Sequence, residues 1–209
     1  MDTEQRGPGG GWDFKSDFSG YEGSGYLSYK PWSNYGGTEA KPESMLDTRI
    51  KTYFFTVNTT GKYRIVLKSA APHPTEHNDL WMAVPESGAI MRRFGRDVDL
   101  TWPASRNERG ELMLDGQNWF KVYQNQGGNT WNYGGKTVDH NGHVIITREL
   151  KADHSWYSVR IAGRSTQFAV DRIILYLCDG AQCDDWSEEF KTATVRATES
   201  HTPQNSCGM

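Results

Sequence analysis

Short runs of alternating apolar and polar residues, broken by turn clusters, are what most constrain the fold of this chain. In Lys62-Tyr63-Arg64-Ile65-Val66-Leu67-Lys68, every second residue from Tyr63 is apolar, and Tyr53, Phe55 and Val57 repeat the pattern, as do Tyr157, Val159 and Ile161. A period of two belongs to a strand with one packed face. The pattern predicts about eight strands, over 25–29, 49–57, 62–70, 79–84, 118–124, 143–150, 155–162 and 168–177. No stretch keeps a helical period between caps, so crossover helices are missing and an α/β fold is excluded. The expectation is an all-β fold, an antiparallel two-sheet β-sandwich of jelly-roll type. Asn58-Thr59-Thr60-Gly61 reads as a turn and predicts a hairpin across 49–70.

The 209 residues fit one such sandwich. Residues 1–12 read as a flexible lead-in, 13–186 as the folded domain and 187–209 as a polar tail or linker. A net charge of -3 supplies no basic field for phosphate backbones, which argues against a nucleic-acid partner. No apolar run approaches the roughly 20 residues of a membrane span, so no membrane partner is expected either. Cys178 and Cys183 flank a short loop after an apolar run and are candidates for a local disulfide, the alternative being two thiols; Cys207 is then a spare thiol.

Three long segments, 30–48, 85–117 and 125–142, separate the expected strands, and long loops in a compact domain tend to carry function. Eight Trp and ten Tyr occur in the chain, several within polar, Gly-rich loops. Such a ring offers an apolar face with a polar edge, which suits ligands that have C–H faces and hydroxyl rims. Sugars are of this kind. Trp32 and Tyr35, with Trp131 and Tyr133, are the candidate stacking walls; loop anchoring is the structural alternative. Glu76, His77, Asn78 and Asp79 gather hydrogen-bonding groups just before a strand, as ligand contacts or as turn chemistry. Trp119, Lys121 and Tyr123 share a strand face and form a candidate second platform, although Trp81, Trp119 and Trp156 each fit a core position. Arginines in 85–117 raise a uronic or sulfated ligand beside the plainer reading of a solvated surface.

Phe18-Ser19-Gly20-Tyr21-Glu22-Gly23-Ser24-Gly25-Tyr26-Leu27-Ser28-Tyr29 resembles the early strand of carbohydrate-binding modules of the family 6 and 35 type. Tyr53-Phe54-Phe55-Thr56-Val57-Asn58 with Gly61-Lys62-Tyr63-Arg64-Ile65 is similar to their next hairpin. Tyr157 to Ser165 followed by Phe168 to Leu175 resembles their closing strand pair. The resemblance implies a galactose-binding-like sandwich, secreted to an extracellular or periplasmic space. It also implies a non-catalytic module that binds a polysaccharide or oligosaccharide beside a catalytic domain in the same parent chain. A structural calcium held by Asp171 is implied as well, but residues 1–17 lack the family's Glu-x-Glu step, and Asp13 and Asp17 are the nearest carboxylates.

Two other readings stand beside the binding module. One is a small sandwich lyase or glycoside hydrolase, for which His77, Tyr123 and Arg164 supply residue types and Glu76 with Asp79 a carboxylate pair. The other is a glycan-binding adhesion or lectin domain. His140 and His143 form too small a set for a metal site.

Overall fold

Each of the eight expected runs contains a strand in a computed structural model of the chain, which describes residues 1, 3, 9–30, 50–87, 89–93, 96–99, 119–137, 142–178 and 183. Two antiparallel sheets pack face to face as a β-sandwich. The larger runs in the order β1 (Trp12–Lys15), β2 (Tyr26–Tyr29), β12 (Ala169–Leu177), β4 (Tyr63–Ala70), β10 (Val144–Thr147), β6 (Ala89–Arg93), β7 (Arg96–Asp99), with β9 (Asn132–Gly134) also paired to β4. The smaller runs β3 (Ile50–Phe55), β11 (Tyr157–Gly163), β5 (Asp79–Ala83), β8 (Phe120–Tyr123).

Register decides which side chains meet between the sheets. In the smaller sheet Tyr53 lies opposite Val159, Ile161 opposite Met82, and Leu80 opposite Val122, and all six are buried. Ile65, Leu67, Ile173 and Val170 face them from the larger sheet. Fully burying a side chain of this size contributes about 1.5–3 kcal/mol, so this shared cluster supplies the main drive for closing the sandwich. Gly163 marks the closest approach: a Cβ there would meet the Tyr29 ring at 1.9 Å.

The expected hairpin over 49–70 does not form. β3 pairs with β11 and β4 with β12, so residues 58–61 carry the chain from one sheet to the other. A turn signal specifies reversal of direction and leaves the partner open, and here the apolar faces of both strands are satisfied only across the sandwich. Four strands lie outside the expected set. β6 and β7 form a hairpin within the expected 85–117 loop, β9 occupies the β4 edge where its pairing with β10 stops, and β1 pairs with β2.

Of the expected lead-in, Met1 exchanges two backbone hydrogen bonds with Ile173, and the Thr3 hydroxyl donates to the carbonyls of Val170 and Asp171. Cys178 and Cys183 are joined in a disulfide, with Cα atoms 5.2 Å apart. It belongs to an apolar cluster with Val66, Ile146 and Tyr176.

Candidate functional site

Lys68 and Arg172 are register partners on adjacent strands. Two cations facing each other on one sheet destabilise it unless an anion lies between them. Two carboxylates do so. Glu22, from the loop between β1 and β2, places Oε1 2.7 Å from the Lys68 ammonium and Oε2 3.1 Å from Arg172. Asp171 stands where the β12 register shifts, between Val170 and Arg172, and its Oδ2 is 2.9 Å from Lys68. The Glu22 amide donates to the same oxygen at 3.0 Å, and the Tyr133 hydroxyl donates to Glu22 Oε1 at 2.9 Å.

Burial raises the Asp171 carboxyl above its ordinary range, and the Lys68 hydrogen bond offsets only part of that. For Glu22, burial pushes the same way but the Lys68 and Tyr133 hydrogen bonds outweigh it and hold the carboxyl low. The ammonium and the amide at Asp171 both hold Oδ2 and compete there with a calcium ion, whereas Oδ1 is buried with no hydrogen-bond partner. Among the described residues no three His, Cys, Asp or Glu side chains converge as metal ligands. Asp171 thus keeps one unpartnered oxygen, but the described residues alone do not complete the calcium site that the resemblance implies.

Glu22 therefore straps loop 16–25 across the outer face of the larger sheet. A second fastening is made by Trp131. Its indole stacks on Phe18 with centroids 4.8 Å apart, meets Tyr26 edge-on at 5.1 Å, and donates its N–H to the Ser19 carbonyl at 3.0 Å. Gly20, at φ +101°, lies so close that a Cβ would meet the Trp131 ring at 2.7 Å. Trp131 and Tyr133 hold the β1–β2 loop against β9 and the loop before it.

The strapped loop leaves a cavity of about 210 Å³ lined by Lys15, Asp17, Phe18, Tyr26, Ser28, Asn129 and Gln167. Period two places Tyr26 and Ser28 on the outer face of β2, and register sets Lys15 opposite Tyr26. The Tyr26 hydroxyl donates to Asp17, and Lys15 Nζ is 3.7 Å from the other Asp17 oxygen. That hydroxyl holds the Asp17 carboxyl below its ordinary value, while burial and then the Asp17 hydrogen bond push the Tyr26 phenol up. Near neutral pH the pair is an ionised acceptor beside a protonated donor. Asn129 (φ 54°) and Gln167 (φ 63°) hold left-handed backbones, a conformation costing about 1 kcal/mol or more in a non-Gly residue and often found at ligand sites.

Of the residues singled out from sequence, Asn78 and Asp79 act beneath this rim. Asn78 Nδ2 donates to the carbonyls of Gln124 (2.7 Å) and Pro74 (3.0 Å), tying loop 71–78 to loop 124–131. Asp79 accepts from Arg164 and from the Ser165 hydroxyl, and Lys121 Nζ lies 3.9 Å away. Arg164 also sits over the Trp81 ring at 5.5 Å. The Asp79, Lys121 and Arg164 group therefore anchors loop 164–168, which carries Gln167. Glu76 is exposed, and His77 has a positive φ of 54°.

Trp119 and Tyr123 are buried, Trp81 is half-buried, and Trp156, expected in the core, is 66% exposed just before β11. Trp32 and Tyr35, with His140 and much of the arginine-rich segment, lie outside the described residues. Of the residues in the lyase reading, Arg164 pairs with Asp79 and Tyr123 is buried. Of the cavity lining, sequence reasoning did not single out Lys15, Phe18, Ser28, Asn129 or Gln167, and it named Asp17 only beside the implied calcium. Only the paired Asp17 and Lys15 beside an aromatic gave any local hint.

The chain matches no family model, and no curated protein matches it.

Proposed function

We propose that this chain is a non-catalytic carbohydrate-binding module that holds a polysaccharide near a catalytic domain of its parent chain, outside the cell. The observation that carries this reading is the outer-face cavity. It combines the half-buried Phe18 ring with an ionised acceptor, an ammonium, a hydroxyl and two amides, which is the mixture that C–H faces and hydroxyl rims require. The Cys178–Cys183 disulfide supports an oxidising compartment. A tethered module acts by raising the substrate concentration its partner sees, with no chemistry of its own.

Affinity gel electrophoresis against neutral, uronic and sulfated polysaccharides, with parallel assay for new reducing ends and for unsaturated lyase products, tests the reading. Retardation without product is the expected result. Product formation makes the chain an enzyme, and no retardation across the panel removes the carbohydrate reading.

A further inference from the structure

Resting on that reading, we infer that the outer-face cavity takes a single uncharged sugar unit at the end of a glycan chain. Size is the first argument. About 210 Å³ is below the roughly 300–1,000 Å³ of ordinary small-molecule pockets, room for one ring rather than several.

A blocked side is the second argument. A chain bound through its interior needs an open path on both sides of the bound unit. Here Trp131 stitches the β1–β2 loop to the β8–β9 loop through the Phe18 stack and the Ser19 hydrogen bond, and Phe18, held in this way, lines one side of the cavity. β2 forms the floor. Gln167 stands on a turn fixed by its own amide, which donates to the Tyr29 carbonyl at 2.6 Å, and by the Thr166 hydroxyl, which donates to the Lys30 carbonyl.

Charge is the third argument. The cavity's ammonium and carboxylate, Lys15 and Asp17, form an ion pair. Next to it, Lys68 and Arg172 are matched by Glu22 and Asp171, and Lys30 by Asp13 at 3.7 Å. A carboxylate or sulfate on the sugar meets no uncompensated cation among these groups and loses its hydration on entry. Hydroxyls, by contrast, can accept from Lys15 and the amides and donate to Asp17.

Calorimetry on the intact chain tests this, using methyl glycosides of glucose, galactose, mannose and xylose, the matching methyl uronides, and neutral oligosaccharides of two to six units. One neutral methyl glycoside is expected to bind within about threefold of its longest oligosaccharide, and its uronide at least about tenfold more weakly. Asn129→Gly, which suits the left-handed backbone and removes the amide, is expected to lower that affinity about tenfold with an unchanged Tm. Affinity that climbs with every added unit, or a preferred uronide, overturns this inference while the binding module stands. Binding unaffected by Asn129→Gly and by Lys15→Met also overturns it, because the sugar then sits elsewhere. Silence from every saccharide overturns both.

Discussion

The Lys68 ammonium lies 2.9 Å from the buried Asp171 carboxylate, with Glu22 bridging from Lys68 to Arg172. Because the Lys68 side chain is only 4% exposed and that of Asp171 is fully buried, losing one partner strands a charge in the interior. Lys68→Met is expected to cost about 3–5 kcal/mol, a Tm lower by roughly 6–20 °C, read by thermal melts. A chelator is expected to leave the wild-type Tm unmoved.

The same cluster sets a pH profile. Burial pulls the Lys68 pKa down, but its hydrogen bonds to Glu22 and Asp171 prevail and raise it. A raised ammonium contributes fully below its ordinary value of 10.5 and loses that contribution as pH rises through its folded value. Glu22, held low, contributes fully above its ordinary 4.5 and loses this as pH falls. Asp171, raised by burial, runs opposite to Glu22 and offsets part of the acid loss. Urea melts across pH are expected to show an alkaline loss of stability that Lys68→Met reduces.

Trp131 separates a loop anchor from a simple ligand wall. Its indole is half-buried against Phe18 and Tyr26, so Trp131→Ala is expected to lower stability by about 2 kcal/mol, less than the 3–5 of a fully buried Trp, and to weaken sugar binding as well. An unchanged Tm with abolished binding assigns the ring to the ligand instead.

Asn78 links two loops through one amide nitrogen. Asn78→Ala leaves the buried Gln124 carbonyl without that donor, at an expected cost of about 1–3 kcal/mol. Hydrogen exchange is expected to rise in 71–78 and 124–131 together; a rise in one loop alone contradicts the link.

Reduction of Cys178–Cys183 removes a short closed loop, worth about 2 kcal/mol on chain entropy. A reductant is therefore expected to lower the Tm by several degrees. Sugar affinity should hold, since the disulfide packs with Val66 and Tyr176 rather than with the cavity.

Strand identity was legible because period two is written locally, in Tyr63-Ile65-Leu67 as in Tyr157-Val159-Ile161. Pairing was not: Asn58 to Gly61 signals a reversal, yet β3 and β4 enter different sheets because their partners are about 100 residues downstream. The 85–117 strands were hidden by their arginines, which read as a solvated loop. At the candidate site, Trp131 packs on the lining residues Phe18 and Tyr26, while Lys15, Ser28, Asn129 and Gln167 come from four separate parts of the chain. Only the sheet order brings them together.

The central claim is that sugar binds in the cavity between the strapped β1–β2 loop and β2. The most direct measurement is amide and side-chain chemical-shift mapping of the isotope-labelled chain titrated with the saccharide it retains most strongly. Saturable shifts centred on Lys15, Phe18, Ser28, Asn129 and Gln167 are predicted. Shifts centred instead on the exposed Phe54 and Trp156, with the cavity silent, would contradict the account.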